Sequence, residues 1–142
     1  MERGEVRFIG VVAGVTGDLS TIRVYDEFCP GLLGVEGYSH IIILYWFHER
    51  DTPGHRGTLQ VYPRRGRVKR LRGVYACRSP SRPNPVGHTV VELLGVKDCE
   101  LTVRGLDALE GSPLVDIKPY SPRSDCFPEA RTPDWSRRGP LC

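Results

Sequence analysis

Glycine and proline interrupt this chain so often that short strands, rather than a helical bundle, are what it can build. Sixteen Gly and twelve Pro fall within 142 residues, about a fifth of the chain. That much turn chemistry leaves room for many brief extended segments. Residues 5–15 and 19–25 are rich in Val, Ile and Phe and read as two strands. The tight segment Asp18-Leu19-Ser20 between them suggests a hairpin. Residues 28–37 are turn-rich. Residues 38–48 hold the strongest strand, with an unbroken apolar run from Ile41 to Phe47. Such a run implies burial on both faces, and its β-branched isoleucines favour strand over helix. It is far too short to span a bilayer.

The remaining segments follow the same pattern. Residues 51–57 read as a polar loop, 59–62 as a short extended piece and 73–77 as another strand. Residues 79–87 cannot be regular structure, because Pro80, Pro83 and Pro85 fall in quick succession. Residues 88–96 and 100–103 read as strands around a Lys97-Asp98 turn. Residues 107–111 form a glycine-closed turn, and 114–118 a last short strand. About eight short strands predict an all-β protein, a small β-barrel or sandwich. Residues 121–142 carry many prolines and no periodicity, so they read as an arm after a domain of residues 1–120.

Hydrophobic residues are 39% and charged residues 26%, the composition of a soluble globular domain of ordinary length. The five cysteines, Cys29, Cys77, Cys99, Cys126 and Cys142, include no C-x-x-C pair, so a zinc knuckle is not expected. No basic-then-apolar segment opens the chain, which predicts a cytoplasmic protein with reduced thiols.

Charge is unevenly placed. From Arg50 to Arg82 there are nine Arg and Lys69 against Asp51 alone, a local balance of +9. The chain carries +3 overall, so the remainder carries −6. The densest stretch holds Arg64, Arg65, Arg67, Lys69, Arg70 and Arg72, flanked by Tyr62 and Tyr75. Arginine forks suit phosphates and aromatic rings suit bases, so this block is the candidate RNA-binding segment. The bland alternative is a solvated basic loop.

Three further segments concentrate chemistry. His48 and Glu49 stand where the apolar strand emerges, as a site at its end or as a water-facing terminus. The run Arg78-Ser79-Pro80-Ser81-Arg82-Pro83-Asn84-Pro85-Val86-Gly87-His88 is a stiff loop bearing Arg78, Asn84 and His88. It is either preorganised for an anionic or zwitterionic ligand or a rigid connection. Asp107, Glu110 and Asp116 place three carboxylates within ten positions, and Asp116 and Lys118 alternate onto one strand face. No G-x-G-x-x-G opens a helix, and Walker A, H-E-x-x-H and G-x-S-x-G are absent.

Taken together, Leu33 through His48, the Gly73–Gly87 run and the segment from Gly105 to Asp116-Ile117-Lys118-Pro119-Tyr120 resemble the TsaA-like, or TrmO, family. The resemblance covers roughly residues 6–120. It implies a compact β-barrel, usually a homodimer, that binds S-adenosyl-L-methionine without a Rossmann fold. It also implies methyl transfer to N6 of threonylcarbamoyl-adenosine beside the tRNA anticodon, with no metal and no membrane. The matching cofactor-binding positions are His48, Glu49, Arg78, Asn84, His88 and the turn Ala108, Leu109, Glu110 and Gly111. Asp116, Lys118 and Tyr120 are the catalytic candidates. The chain departs from the family at residues 12–19, which lack a longer segment with a Pro-Arg-Gln element. Glu49 also replaces the usual amide or basic residue, and a C-terminal extension found in longer members is missing. Two other functions stay open: a methyltransferase with a different acceptor, and a non-catalytic RNA-binding barrel.

Overall fold

The computed structural model describes residues 2–64 and 67–136. Arg65, a candidate RNA-binding residue, and Cys142, one of the five cysteines, lie outside the described residues. Among the described residues there are eight strands: β1 (Gly10–Thr16), β2 (Leu19–Val24), β3 (His40–Trp46), β4 (Gln60–Val61), β5 (Arg72–Gly73), β6 (Val86–Lys97), β7 (Glu100–Arg104) and β8 (Pro113–Pro119). Six of them close a barrel in the order β1-β2-β7-β6-β3-β8, with every neighbouring pair antiparallel. Strands β4 and β5 pair separately as a short ribbon. The turn density leaves barrel and sandwich open, and the fold observed is the barrel that the family resemblance implies.

The chain divides into two compact units. One comprises Met1–Glu49 with Pro85–Tyr120, the other Arg50–Asn84 with Ser121–Cys142. The first unit is the barrel. Its inside is filled by alternate strand residues, including Val12, Ile22, Ile41, Ile43, Leu101 and Leu114, none of which meets solvent. Period-two alternation puts these on one side of each strand and the polar residues on the other. Closure leaves no unpaired edge along the paired stretches.

Several local expectations are corrected. The first strand starts at Gly10 rather than residue 5. At Gly10 a Cβ would lie 2.2 Å from the Arg23 carbonyl oxygen, so only glycine permits β2 to come this near. Before it, Phe8 leaves the ladder and packs its ring on Trp46 at 5.6 Å. Strand β3 is not buried on both faces: Ile41, Ile43 and Tyr45 point inward, while Ile42, Leu44 and Trp46 are half-buried outside. Residues 73–77 are not a strand beyond Gly73. A 3-10 turn, Val74–Ala76, takes over, because Val74 alone is buried and no alternation follows. The polar loop at 51–57 contains a one-turn helix, Pro53–Arg56, whose cap Thr52 accepts from the His55 backbone N–H.

Reduced thiols are the default expectation, with a disulfide left open by the sequence, and Cys29 and Cys99 form one across 70 positions. It ties the 3-10 turn Cys29–Leu32 to the β6–β7 connection. Cys77 is a free thiol. In the second unit, the segment after Tyr120 includes a one-turn helix, Pro122–Asp125, and a 3-10 turn, Asp134–Ser136. Among the described residues, no helix is long and apolar enough to cross a membrane, and no group of three metal-ligating side chains gathers.

Candidate functional site

At one end of the barrel, the outgoing end of β3 meets the turn before β8. Tyr45 is nearly buried, and its hydroxyl donates to the Asp107 carbonyl. Thr89 on β6 adds its own hydroxyl, 3.5 Å from the Tyr45 oxygen. Backbone bonds from Gly111 N–H to Val12 O (2.8 Å) and from Val12 N–H to Ser112 O (2.9 Å) lock the other side of the turn to β1. Gly111 has φ of +88°, a conformation that selects glycine there. The turn therefore presents Ala108 half-buried, with Leu109 and Glu110 exposed. Gly87 makes room beneath: a Cβ there would sit 2.5 Å from the Tyr45 ring and 2.9 Å from Phe47.

The register of three strands lines up much of the remaining chemistry on the barrel's outer face. Leu44 of β3 faces His88 of β6 on one side and Asp116 of β8 on the other. Directly opposed residues share a face, so His88 and Asp116 flank Leu44 at about 10 Å, two strand spacings. Ile42 next faces Val90 and Lys118. Asp116 is doubly engaged, with Oδ1 accepting from the Ile117 N–H at 2.9 Å and Oδ2 3.1 Å from Lys118 Nζ. It also borders a pocket of about 210 Å³ walled by Ile9, Val24, Phe28, Leu32 and Ile117.

Not all candidates converge. Tyr120 lies at the His40 end of β3, its N–H bonded to the His40 carbonyl and its ring 6.3 Å from the imidazole. His48 and Glu49 leave the opposite end in an exposed 3-10 turn. Six residue steps from His40 to Trp46 separate the two ends by roughly 20 Å.

Arg78 and Asn84 belong to the second unit. There the proline loop is braced from outside by the one-turn helix. His55 Nδ1 and Ser81 Oγ share a hydrogen bond of 2.8 Å. Arg56 donates to the Pro83 carbonyl at 2.9 Å, pairs with Asp51 at 3.0 Å and reaches Asn84 Oδ1 at 3.5 Å. Arg82 braces the loop from inside, donating to the carbonyls of Cys77 and Ser79. Arg78 remains exposed beside this stiffened loop.

The basic block is also partly structural. Arg64 Nη1 donates to the Trp135 carbonyl at 3.3 Å, and the Arg72 guanidinium lies 5.3 Å above the Trp135 ring. Arg67, Lys69 and Arg70 are exposed. Four residues that organise these regions escaped sequence reasoning: Tyr45, His55, Arg56 and Trp135. Tyr45 alone had a readable signal, since a tyrosine inside an apolar strand needs a partner for its hydroxyl.

Comparison with known proteins places these features. Residues 12–126 match the tRNA-methyltransferase O N-terminal domain. An S-adenosyl-L-methionine-binding protein of Archaeoglobus fulgidus is 49% identical over 108 residues, which are 76% of this chain and 73% of that one. The tRNA (adenine(37)-N6)-methyltransferase of Escherichia coli is 41% identical over 125 residues, covering 85% of this chain and 52% of its own. The crystal structure of TrmO from Pseudomonas aeruginosa is similar with a TM-score of 0.76 at 26% identity, covering 98% of this chain and 65% of that chain. The chain thus spans about half of the Escherichia coli enzyme and just under two thirds of the solved TrmO chain.

Proposed function

Since the chain belongs to the tRNA-methyltransferase O N-terminal domain family, we propose that it is an S-adenosyl-L-methionine-dependent methyltransferase acting on N6 of an adenine in tRNA, with threonylcarbamoyl-adenosine beside the anticodon as its acceptor. The observation that carries this reading is the family match over residues 12–126. The 41% identity to the Escherichia coli enzyme supports adenine N6 as the target atom.

The donor set at the barrel's end fits such a cofactor. When bound, it supplies a methyl group on a positively charged sulfur. Ala108 and Leu109 offer an apolar surface for an adenine, and Glu110 places a carboxylate beside it to balance a cationic sulfur or ammonium. The Tyr45 hydroxyl and the β1 backbone hold that turn in one shape before any ligand arrives. His88, His48 and Glu49 are exposed polar groups for the cofactor's remaining donors and acceptors. Methyl transfer is chiefly a matter of positioning. Of the three catalytic candidates, Asp116 shares its row with His88, so we assign it to accept a hydrogen bond from the attacking nitrogen. Lys118 orients Asp116 through their ion pair, and Tyr120 stands further along the strand.

On the second unit, Arg78 suits a carboxylate or phosphate, and Arg67, Lys69 and Arg70 suit the tRNA backbone. A tRNA acceptor makes the cytoplasm the site of action, and the family resemblance carries a homodimer that light scattering tests. A second reading, with another RNA position or a small molecule as acceptor, is favoured by one feature: β1 and β2 are joined by Gly17 and Asp18 alone. That connection leaves no added segment to meet a bulky modified base.

The test is methylation of tRNA with and without the threonylcarbamoyl group, read by mass spectrometry of digested nucleosides. Methyl found only on the modified adenosine is the expected result. Methyl on unmodified adenine, or on no tRNA while calorimetry shows cofactor binding, selects the second reading. Failure to bind either S-adenosyl-L-methionine or S-adenosylhomocysteine overturns the enzymatic reading.

A further inference from the structure

We propose that the β4–β5 ribbon and its 3-10 turn form a stacking platform for unpaired RNA bases, with Tyr62 and Tyr75 as the stacking side chains. The proposal rests on the tRNA reading above and adds which form of RNA the surface selects.

Tyr62 is 53% exposed and Tyr75 77% exposed, large apolar faces left open on a unit with little core of its own. Val61 pairs with Arg72, and Tyr62 and Leu71, the residues that follow and precede that pair, are both exposed, Leu71 at 48%. Val74 is fully buried and anchors the turn that carries Tyr75, so that ring stands on a fixed base. The connection from β4 to β5 carries the exposed side chains of Arg67, Lys69 and Arg70. Trp135 braces this connection through its carbonyl to Arg64 and its ring against the Arg72 guanidinium.

Charge decides the partner's class. Asp51 is the only carboxylate between Arg50 and Arg82, and Arg56 already occupies it at 3.0 Å. The field around the two tyrosines therefore matches a polyanion. Arginines alone would bind any nucleic acid through phosphates. A duplex keeps its bases stacked and offers rings nothing to stack on, whereas a loop presents their π faces. Exposed rings set among arginines recognise the loop. An acidic protein partner would satisfy the charge but gives the two exposed rings, one beyond each end of the ribbon, no specific use.

The full chain is titrated by fluorescence anisotropy at low salt with two labelled RNAs: a hairpin with an unpaired loop, and a blunt duplex of equal phosphate count. Tyr62→Ala and Tyr75→Ala should each weaken hairpin binding roughly tenfold. They should leave duplex binding and the salt slope unchanged, while Tyr62→Phe and Tyr75→Phe retain wild-type affinity. Arg70→Ala should weaken both RNAs and lower the salt slope by about one. Thermal melts establish that each variant is folded. If the alanine variants affect neither RNA, or both equally, while Arg70→Ala weakens both, the platform is overturned and tRNA binding stands. If the wild-type chain binds neither RNA, the platform and the tRNA reading fall together, and an acidic protein becomes the partner to seek.

Discussion

Ile22, Ile41, Ile43 and Leu101 meet no water inside the barrel, whereas the second unit buries only Val74 and Pro63 among its described residues. The barrel is ordered by apolar area removed from water, by closed backbone ladders and by the Cys29–Cys99 bond. The second unit is ordered by arginine forks on carbonyls, a histidine–serine bond, three close prolines and a tryptophan against Arg64 and Arg72. A segment this rich in arginine buries few of its own side chains, because an unpaired buried charge costs too much; Arg64 Nε is an exception among the described residues. It gains shape from stiff backbone and surface hydrogen bonds, each worth little singly. The surface proposed above for a charged partner is thereby shaped without being dry. The prediction for exchange is direct: amide protons of β3 and β6 should be the slowest, and those of Arg50–Asn84 far faster.

The contrast can be pressed first at the disulfide. Cys29→Ser opens a loop of 70 positions and should cost about 4 kcal/mol of barrel stability, read by chemical denaturation without reductant. A loss under about 1 kcal/mol would mean the ladders alone hold the barrel. Gly87→Ala comes next. Its Cβ would fall 2.5 Å from the Tyr45 ring, inside the packed end of the barrel. The expected cost is about 1–3 kcal/mol, with weakened cofactor binding, since Tyr45 also holds the Asp107 carbonyl. An unchanged melting temperature would show that this end is looser than its packing indicates.

How far these features were legible follows from the range of their causes. The β1–β2 hairpin, β6 and β7 are legible from local strand and turn signals, and Asp98 with φ of +55° stands in the expected Lys97-Asp98 turn, but the first turn is Gly17-Asp18 rather than Asp18-Leu19-Ser20, and β6 begins at Val86, inside the run expected to be irregular. The turn at 107–111 was readable from Gly111, but its anchor was not, since Tyr45 lies in a run that reads simply as core. Residues 73–77 misled because Val74 is a single anchor that imitates the start of a strand. The disulfide and the braces of the proline loop were invisible for one reason. Cys29 and Cys99 are 70 positions apart, and Ser81 and Pro83 lie 26 and 27 positions from His55 and Arg56. Pairings at such distances are made by topology, which sequence pattern does not carry.

Two smaller substitutions sharpen the comparison. Tyr45→Phe keeps the ring and removes the hydroxyl, leaving the Asp107 carbonyl without that donor. About 1 kcal/mol of stability should go, and S-adenosyl-L-methionine affinity measured by calorimetry should fall with the loosened turn. Unchanged affinity would separate the turn from the cofactor site.

His55→Ala is the counterpart in the second unit. It removes the 2.8 Å bond to Ser81 but leaves Arg56 on Pro83 and Arg82 on Cys77 and Ser79. Water replaces much of a half-buried contact, and the prolines still restrict the backbone. Stability should fall by only about 0.5 kcal/mol. Amide exchange at Ser81 should nevertheless quicken, since its side chain has lost its tether. A loss above about 2 kcal/mol would mean that this unit depends on a hidden core after all, and that the barrel and the basic unit are built more alike than their burial shows.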